Sequence, residues 1–167
     1  MDITIERAQP EDAGALIAFL NRIGAETDNL TFGSEGLPIT LEEEAEIIRE
    51  KNRSPRNSLL LAKKGGDIVG DASIETLPRR MAHRAEFGIA VVKAEWGQGI
   101  GSRLLEAAIE HAKAQRIEIV ELEVRSDNEW AIRLYRTHGF VKIGTYRKYF
   151  KMEDGTYADF DLMGLYL

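Results

Sequence analysis

The stretch from Glu86 to Ala114, EFGIAVVKAEWGQGIGSRLLEAAIEHAKA, predicts a strand, a glycine-rich turn and a helix in that order. The run from Phe87 to Val92 carries no charge, as is typical of a buried strand. A turn follows that contains three alternating glycines: Gly97, Gly99 and Gly101. Apolar residues then recur at the spacing of one helix face: Ile100, Leu104, Ala108 and Ala112.

A strand, a glycine turn and a helix N-terminus together form a binding site for phosphate. The first N–H groups of a helix have no helical partner, and the helix dipole places partial positive charge there. Glycines let a pyrophosphate approach the backbone closely. We therefore expect an anion site at residues 97–102 and a nucleotide-like cofactor, with a purely structural turn as the alternative. Ser102 stands where a dinucleotide fingerprint needs glycine, and no Walker triplet Gly-Lys-Ser/Thr occurs.

Residues 91–102, VVKAEWGQGIGS, resemble the acetyl-CoA-binding segment of the GNAT N-acetyltransferase superfamily. The usual pattern there is Gln/Arg-x-x-Gly-x-Gly/Ala, and Trp96 stands at the Gln/Arg position. Residues 122–140, LEVRSDNEWAIRLYRTHGF, are similar to the strand and helix of the family that end in "LY…GF". The resemblance extends from about residue 2 to the end of the chain. The C-terminal half also resembles ribosomal-protein N-terminal alanine acetyltransferases.

The resemblance implies acetyl-CoA as co-substrate and a set of residues that bind it. The expected binding residues are Ile89, Ala90, Val91, Gly97, Gln98, Gly99, Ile100, Gly101, Ser102 and Asn128. It also implies that Tyr135 lies near the thioester sulfur as the general acid. Asn128 and Tyr135 are seven residues apart, so they point to the same side of a helix.

Two glutamates are candidates for the general base that deprotonates an amine. Glu123 lies in the segment Leu-Glu-Val-Arg, which the ribosomal-protein acetyltransferases share and in which that glutamate is their base. Strand alternation places Glu121, Glu123 and Arg125 on one face and Val120, Leu122 and Val124 on the other. Glu86, at the start of the central strand, is the second candidate, and a water-mediated base with no dedicated residue is the third.

The acceptor is expected between the loop of the first two helices and the last hairpin. Glu26 and Asp28 could hold a cationic amine, and Phe32 could cover it. Tyr146 and Tyr149 could line the hairpin side. The glutamates at positions 42–44 and 46 indicate the first turn and exposed face of a helix, and no metal site is expected.

Composition narrows the function classes. At 167 residues and 44% hydrophobic content we expect a single domain over residues 1–167. A net charge of −6 argues against nucleic acid as a partner and mildly favours cationic substrates. The chain has no cysteine, so a cysteine nucleophile and a disulfide are excluded. The sequence shows no leader and no apolar run of the ~20 residues needed to cross a membrane, which predicts a cytoplasmic protein.

The pattern of the whole chain predicts the order β-α-α-β-β-β-α-β-α-β-β. This is a mixed α/β (α+β) fold of the GNAT type, in which four helices flank a mostly antiparallel sheet of about seven strands. Gly24 is expected to end the first helix, and Thr40 to open the second with a capping box. Ser126 and Glu129 are expected to form the capping box of the last helix.

The predicted activity is acetyl transfer from acetyl-CoA to a primary amine by direct attack in a ternary complex. A small-molecule amine is slightly preferred over a protein N-terminus as acceptor. The non-enzymatic alternative is a module that binds acyl-CoA as a sensor. The resemblance also allows a homodimer. A nucleotide-binding domain is the weakest alternative.

Overall fold

The computed structural model describes residues 2–167, in which seven strands share one sheet and four α-helices pack on it. In chain order the elements are β1 (Ile3–Arg7), α1 (Ala13–Glu26), α2 (Leu41–Arg53), β2 (Ser58–Lys64), β3 (Asp67–Thr76), β4 (Arg84–Val91), α3 (Ile100–Ala114), β5 (Ile119–Arg125), α4 (Glu129–Thr137), β6 (Val141–Lys151) and β7 (Tyr157–Tyr166). The predicted mixed α/β fold of seven strands and four helices is confirmed.

The sheet order is β1-β2-β3-β4-β5-β7-β6, and β4 and β5 form the one parallel pair among these strands. Their pairing covers three residue pairs and ends where Glu86 faces Glu121. Beyond that point β4 continues beside β3, and β5 continues beside β7. The two central strands therefore separate and leave a gap in the middle of the sheet.

Side chains along β3 alternate between the two faces of the sheet, and this alternation locates the helices. A Cβ on Gly70 would lie 3.0 Å from Leu104 Cδ1, so α3 covers the face that buries Ala72 and Ile74. Glu75 points to the other face, where it pairs with Lys51 of α2. Helices α2 and α3 therefore lie on opposite faces of the sheet.

Helix α4 lies on the same face as α3. Phe87 of β4 faces Ile74 of β3 in the register, so both side chains point to the α3 face. The ring of Tyr135 packs edge-on against Phe87, with 6.3 Å between ring centroids, and lies 5.7 Å from the ring of Phe140.

Two helix boundaries differ from their predictions. Helix α1 runs past Gly24 to Glu26. Gly24 instead permits a close contact, because a Cβ there would lie 2.4 Å from the carbonyl oxygen of Gly33. The cap of α4 is Asn128, whose Oδ1 accepts from the Ala131 N–H at 3.2 Å. The predicted capping box of Ser126 is wrong, since its hydroxyl donates to Asp161 at 2.8 Å instead.

Helix α2 begins as predicted. The hydroxyl of Thr40 accepts from the Glu43 N–H at 3.2 Å, and the Glu43 carboxylate accepts from the Thr40 N–H at 2.7 Å. Glu44, however, is buried and does not belong to the exposed face of the helix.

Glu44 belongs to a charged cluster between α2 and β3, together with Lys51, Asp71 and Glu75. Burial raises the pKa of Asp71 to about 7, and the negative charge of Glu44 adds to this shift. Burial likewise raises the pKa of Glu44 and lowers the pKa of Lys51. The cluster is therefore a charged region between α2 and the sheet in which Asp71 changes its charge near neutral pH.

We expect Asp71→Asn to change the pH dependence of stability. Asp71 holds its proton more tightly in the folded chain than in the unfolded chain. Its contribution to stability is therefore complete below about pH 4 and is lost as the pH rises to about 7. The variant removes this loss and leaves Glu44 and Glu75 as partners of Lys51. Urea unfolding should show it gaining about 1–3 kcal/mol relative to the parent between pH 5 and pH 8. A constant difference between the two chains across that interval would contradict the assignment.

Candidate active site

The gap between β4 and β5 presents backbone groups to a ligand. The Val92 N–H donates to the Val69 carbonyl of β3 at 2.9 Å, so by alternation the N–H and C=O groups of Val91 and Ile89 point away from β3. The pairing of β4 with β5 has already ended, so within residues 2–167 no strand takes up the Ile89 groups. An extended, amide-containing ligand could bind to β4 as an additional strand would.

A cavity of about 220 Å³ occupies this gap and passes through the sheet. Tyr135 of α4 lines it from the α3 side. Glu123 of β5 lines it as well, and its side chain alternates with the buried Leu122 and Val124 toward the α2 side. The structure therefore brings the predicted acid and one predicted base to a common cavity from opposite faces.

The glycine turn stands at the cavity mouth with its backbone exposed. Gly97 and Gly99 have φ angles of +76° and +78°, and a Cβ at either position would meet no atom within 4 Å. Gly99 is the N-cap of α3, and the first helical bond runs from the Arg103 N–H to the Gly99 carbonyl at 3.1 Å. The N–H groups of residues 100–102 thus have no helical partner. These residues fit a phosphate group.

Some of the other predicted cofactor residues line the cavity, and some lie outside it. Five line the cavity itself: Ile89, Ala90, Val91, Gly101 and Asn128. The side chain of Ile100 is buried in the core, so only its backbone could contact a ligand. Gln98 and Ser102 lie in or next to the turn, outside the cavity lining. Asn128 lines the cavity and caps α4 through Oδ1, so its Nδ2 group remains available as a donor.

Tyr135 is buried, with 6% of its surface exposed, and its ring is fixed between Phe87 and Phe140. Burial raises the pKa of its hydroxyl well above the ordinary value for tyrosine. The hydroxyl therefore stays protonated at neutral pH and can act as a donor in the cavity.

Glu123 has neighbours that shift its pKa in opposite directions. Burial raises the pKa of Glu123, and the carboxylates of Glu86 and Glu121 raise it further, whereas a hydrogen bond with the Tyr149 hydroxyl lowers it. The charge of Glu121 is partly compensated, because it forms an ion pair with Arg84. A raised pKa brings this carboxylate closer to the range that suits a general base.

A second cleft, of about 660 Å³, opens on the α2 side and shares Glu123 with the first cavity. Glu86 and Tyr146 also line it. The second candidate base and one predicted acceptor residue therefore lie next to Glu123. Tyr146 stacks on Tyr149, with ring centroids 5.2 Å apart.

The remaining predicted acceptor residues lie around a third cavity between the α1–α2 loop and the β6–β7 hairpin. Asp28, Phe32 and Tyr149 line it. Glu26, by contrast, lines the first cavity, in the β4–β5 gap, and both of its carboxylate oxygens are engaged. They accept from the Lys93 N–H at 2.7 Å and from Arg22 Nε at 2.9 Å.

The segment that contains the glycine turn also matches a known protein family. The sequence profile described as "Acetyltransferase (GNAT) family" matches residues 26–140, more than half of the chain. The chain belongs to the GNAT acetyltransferase family. Enzymes of this GNAT family use acetyl-CoA as the acetyl donor. The resemblance seen in the glycine turn and in the "LY…GF" segment is thereby confirmed.

Individual GNAT relatives differ in the acceptor that their names state. N-alpha-acetyltransferase RimI of Mycobacterium tuberculosis is 40% identical over 100 residues, 59% of this chain and 61% of that protein. L-amino acid N-acetyltransferase AaaT of Escherichia coli is 37% identical over 102 residues, 60% of this chain and 62% of that protein. The matches thus span about three fifths of these two relatives.

A solved GNAT structure covers the whole fold. The crystal structure of an acetyltransferase of the GNAT family from Streptococcus pneumoniae is 36% identical to this chain, with a TM-score of 0.96. The superposition covers 99% of this chain and 100% of the other.

Two absences hold for the part of the chain that the structure describes. Across residues 2–167, no three acidic or histidine side chains cluster in a way that could hold a metal ion. No helix in the same range has the length and apolar character needed to cross a membrane.

Sequence reasoning missed several residues at this GNAT site. Leu134 and Ile23 form an apolar wall of the cavity in the β4–β5 gap, and their positions on buried helix faces could have indicated this. Trp130 lies two residues after Asn128 and also lines the cavity. Arg125 lines the first and third cavities and pairs with Asp127, with 2.8 Å between Nε and Oδ1.

We expect Gly99→Asp to abolish acetyl-CoA binding. The substitution adds a negative charge where the backbone N–H groups would bind phosphate. Gly155→Asp is the matched control, because Gly155 also has a positive φ, +83°, and open space around a Cβ. Calorimetric titration should detect binding by the control and none by Gly99→Asp. Equal affinity in the two variants would contradict the proposed phosphate site.

We expect the pKa of Glu123 to move in opposite directions in two variants. Tyr149→Phe removes the hydrogen bond that lowers this pKa, so the pKa rises. Glu86→Gln removes a negative charge, so the pKa falls. Carboxyl ¹³C NMR titration of the purified chain measures both shifts, with Tyr157→Phe as the control. Movement in the same direction in both variants would be inconsistent with this account.

Proposed function

We propose that this chain is an N-acetyltransferase that moves the acetyl group of acetyl-CoA to a primary amine by direct attack. The observation that carries the proposal is the cavity through the β4–β5 gap, where Tyr135 and Glu123 line a common space from opposite faces of the sheet. An acid and a base on either side of a reacting centre are the arrangement that such a transfer requires.

The donor would be held by backbone more than by side chains. The N–H groups of residues 100–102 suit its pyrophosphate, and the gap-facing groups of Ile89 suit the amides of its arm. Asn128 can donate from Nδ2 to the same arm. When bound, acetyl-CoA supplies an acetyl group activated as a thioester.

The proton transfers fall to two side chains. A free alkylamine has a pKa near ~10 and arrives protonated, so a base must remove a proton before attack. The carboxylate of Glu123 takes this proton, directly or through one water, and Glu86 helps to keep the site negative. When the new C–N bond forms and the C–S bond breaks, the Tyr135 hydroxyl would give its proton to the departing sulfur. The second proton lost by the amine nitrogen would restore the hydroxyl. No nucleophilic side chain is required, in agreement with the absence of cysteine.

The charge of the second cleft favours a cationic acceptor. Of its four carboxylates, Glu121 pairs with Arg84 and Glu75 pairs with Lys51. The charges of Glu86 and Glu123 then remain to attract an ammonium group. We favour a small-molecule amine as acceptor, in line with the amino-acid relative. The RimI relative supports a protein N-terminus as the second candidate.

An acceptor panel tests the proposed activity. Thiol release from acetyl-CoA is measured with amino acids, polyamines, aminoglycosides and N-terminal peptides, against a blank without amine. We expect a small amine to accelerate release. Turnover of N-terminal peptides alone would replace the small molecule by a protein acceptor. Binding of acetyl-CoA without turnover of any amine would favour an acyl-CoA sensor instead.

Tyr135→Phe should lower kcat by about 10²–10⁴-fold with little change in KM, because only the proton donor is lost. The phenyl ring keeps the packing against Phe87 and Phe140, so the Tm should stay unchanged. Tyr157→Phe, in the β6–β7 hairpin and outside the donor cavity, is the control. Steady-state kinetics with the best acceptor of the panel measure kcat and KM for both variants and the parent. An unchanged kcat would exclude Tyr135 as the acid.

A further inference from the structure

The two tryptophans of this chain stand together at the donor cavity. Trp96 and Trp130 are the only tryptophans in the sequence, and both line the cavity in the β4–β5 gap. Both are nonetheless exposed, by 50% and 60% of their surfaces. Large apolar rings that are exposed together beside a cavity are a mark of a binding surface.

The ring of Trp96 is held in place by a hydrogen bond to the backbone of β4. Its Nε1 donates to the Val91 carbonyl at 2.7 Å, one of the groups that point away from β3. The indole therefore uses its polar edge on the protein and leaves its ring surface for other contacts. The GNAT pattern has Gln or Arg at this position, and Trp96 places a large apolar ring there instead.

The ring of Trp130 lies across the first turn of α3. A Cβ on Gly101 would lie 3.6 Å from Trp130 Cη2 and 3.5 Å from Leu134 Cδ2. Gly101 also supplies one of the N–H groups proposed to bind pyrophosphate. The outer end of Trp130 therefore lies immediately beside that phosphate site, on the side of the cavity.

We infer that Trp96 and Trp130 bind the pantoyl segment of acetyl-CoA, the branched aliphatic segment that links the pyrophosphate to the first amide of the arm. This inference rests on the proposed function, because it assumes that the pyrophosphate binds at residues 97–102 and that the arm runs toward Tyr135. On that path, the segment next to the pyrophosphate passes Trp130 first. Its two methyl groups are apolar, and the indole surfaces cover them from water.

In this arrangement the two tryptophans bind the donor, whereas Glu123 and Tyr135 transfer protons. They are positioning residues, since neither contacts the reacting atoms. Removing either ring should weaken donor binding and leave the proton transfers of Glu123 and Tyr135 intact. KM for acetyl-CoA should therefore rise while kcat at saturating donor stays within about twofold.

The test compares two ligands by calorimetric titration: acetyl-CoA, and adenosine 3′-phosphate 5′-diphosphate, which carries the nucleotide and phosphates without the pantoyl segment. We expect Trp130→Ala and Trp96→Ala each to weaken acetyl-CoA by about 5- to 10-fold. Binding of the nucleotide fragment should change by less than about twofold. Tyr166→Ala is the control, because Tyr166 is 62% exposed and lies outside the cavity lining.

Two results would overturn the inference. Unchanged affinity for acetyl-CoA in both tryptophan variants would show that the rings do not contact the donor. An equal loss for both ligands would show that the rings contact the nucleotide instead. If the parent chain itself fails to bind acetyl-CoA, the proposed function fails, and that outcome is distinct from the first two. Thermal melts of each variant without ligand separate a loss of binding from a loss of folding.

Discussion

The parallel pairing of β4 with β5 is the constraint on which the rest of the site depends. It lasts for three residue pairs, and the strands then separate because each continues along a different antiparallel neighbour. A strand without a partner on one edge leaves N–H and C=O groups that must be satisfied by other means. At the same edge the glycine turn opens α3 and exposes the helix N-terminus. The fold thus places unpaired backbone groups of β4 and the N-terminus of α3 near each other, where we propose that acetyl-CoA binds.

The gap also explains why the charges are arranged as they are. Tyr135 is fixed on the apolar face of the sheet, where burial keeps its hydroxyl protonated. The carboxylates of Glu86, Glu121 and Glu123 lie on the opposite face. Arg84 pairs with Glu121, and the charges of the other two remain uncompensated. A cavity between the strands joins these two environments. The proposed acid and the proposed base therefore lie on opposite sides of one cavity.

The sequence predicted most of the local elements, including the glycine turn before α3. The hydrophobic pattern, the Thr40 capping box and the glycine turn each depend on residues close in the chain, so their signal is local. Gly24 and Ser126 misled the prediction because tertiary contacts decided their roles, a close backbone approach in one case and a hydrogen bond to Asp161 in the other. The passage of the cavity through the sheet was not predictable, since it arises from the separation of β4 and β5. The presence of Trp96 and Trp130 in the lining of one cavity depends on the same three-dimensional arrangement.

Amide hydrogen exchange with and without saturating acetyl-CoA tests the central claim most directly. The account predicts that the donor slows exchange of the N–H groups of Ile89 and of residues 100–102, and leaves the β6–β7 hairpin unchanged. Within residues 2–167 these groups have no strand or helix partner, so their protection would come from the ligand. Binding that protects another surface, with no change at these amides, would contradict the assignment of the β4–β5 gap as the donor site.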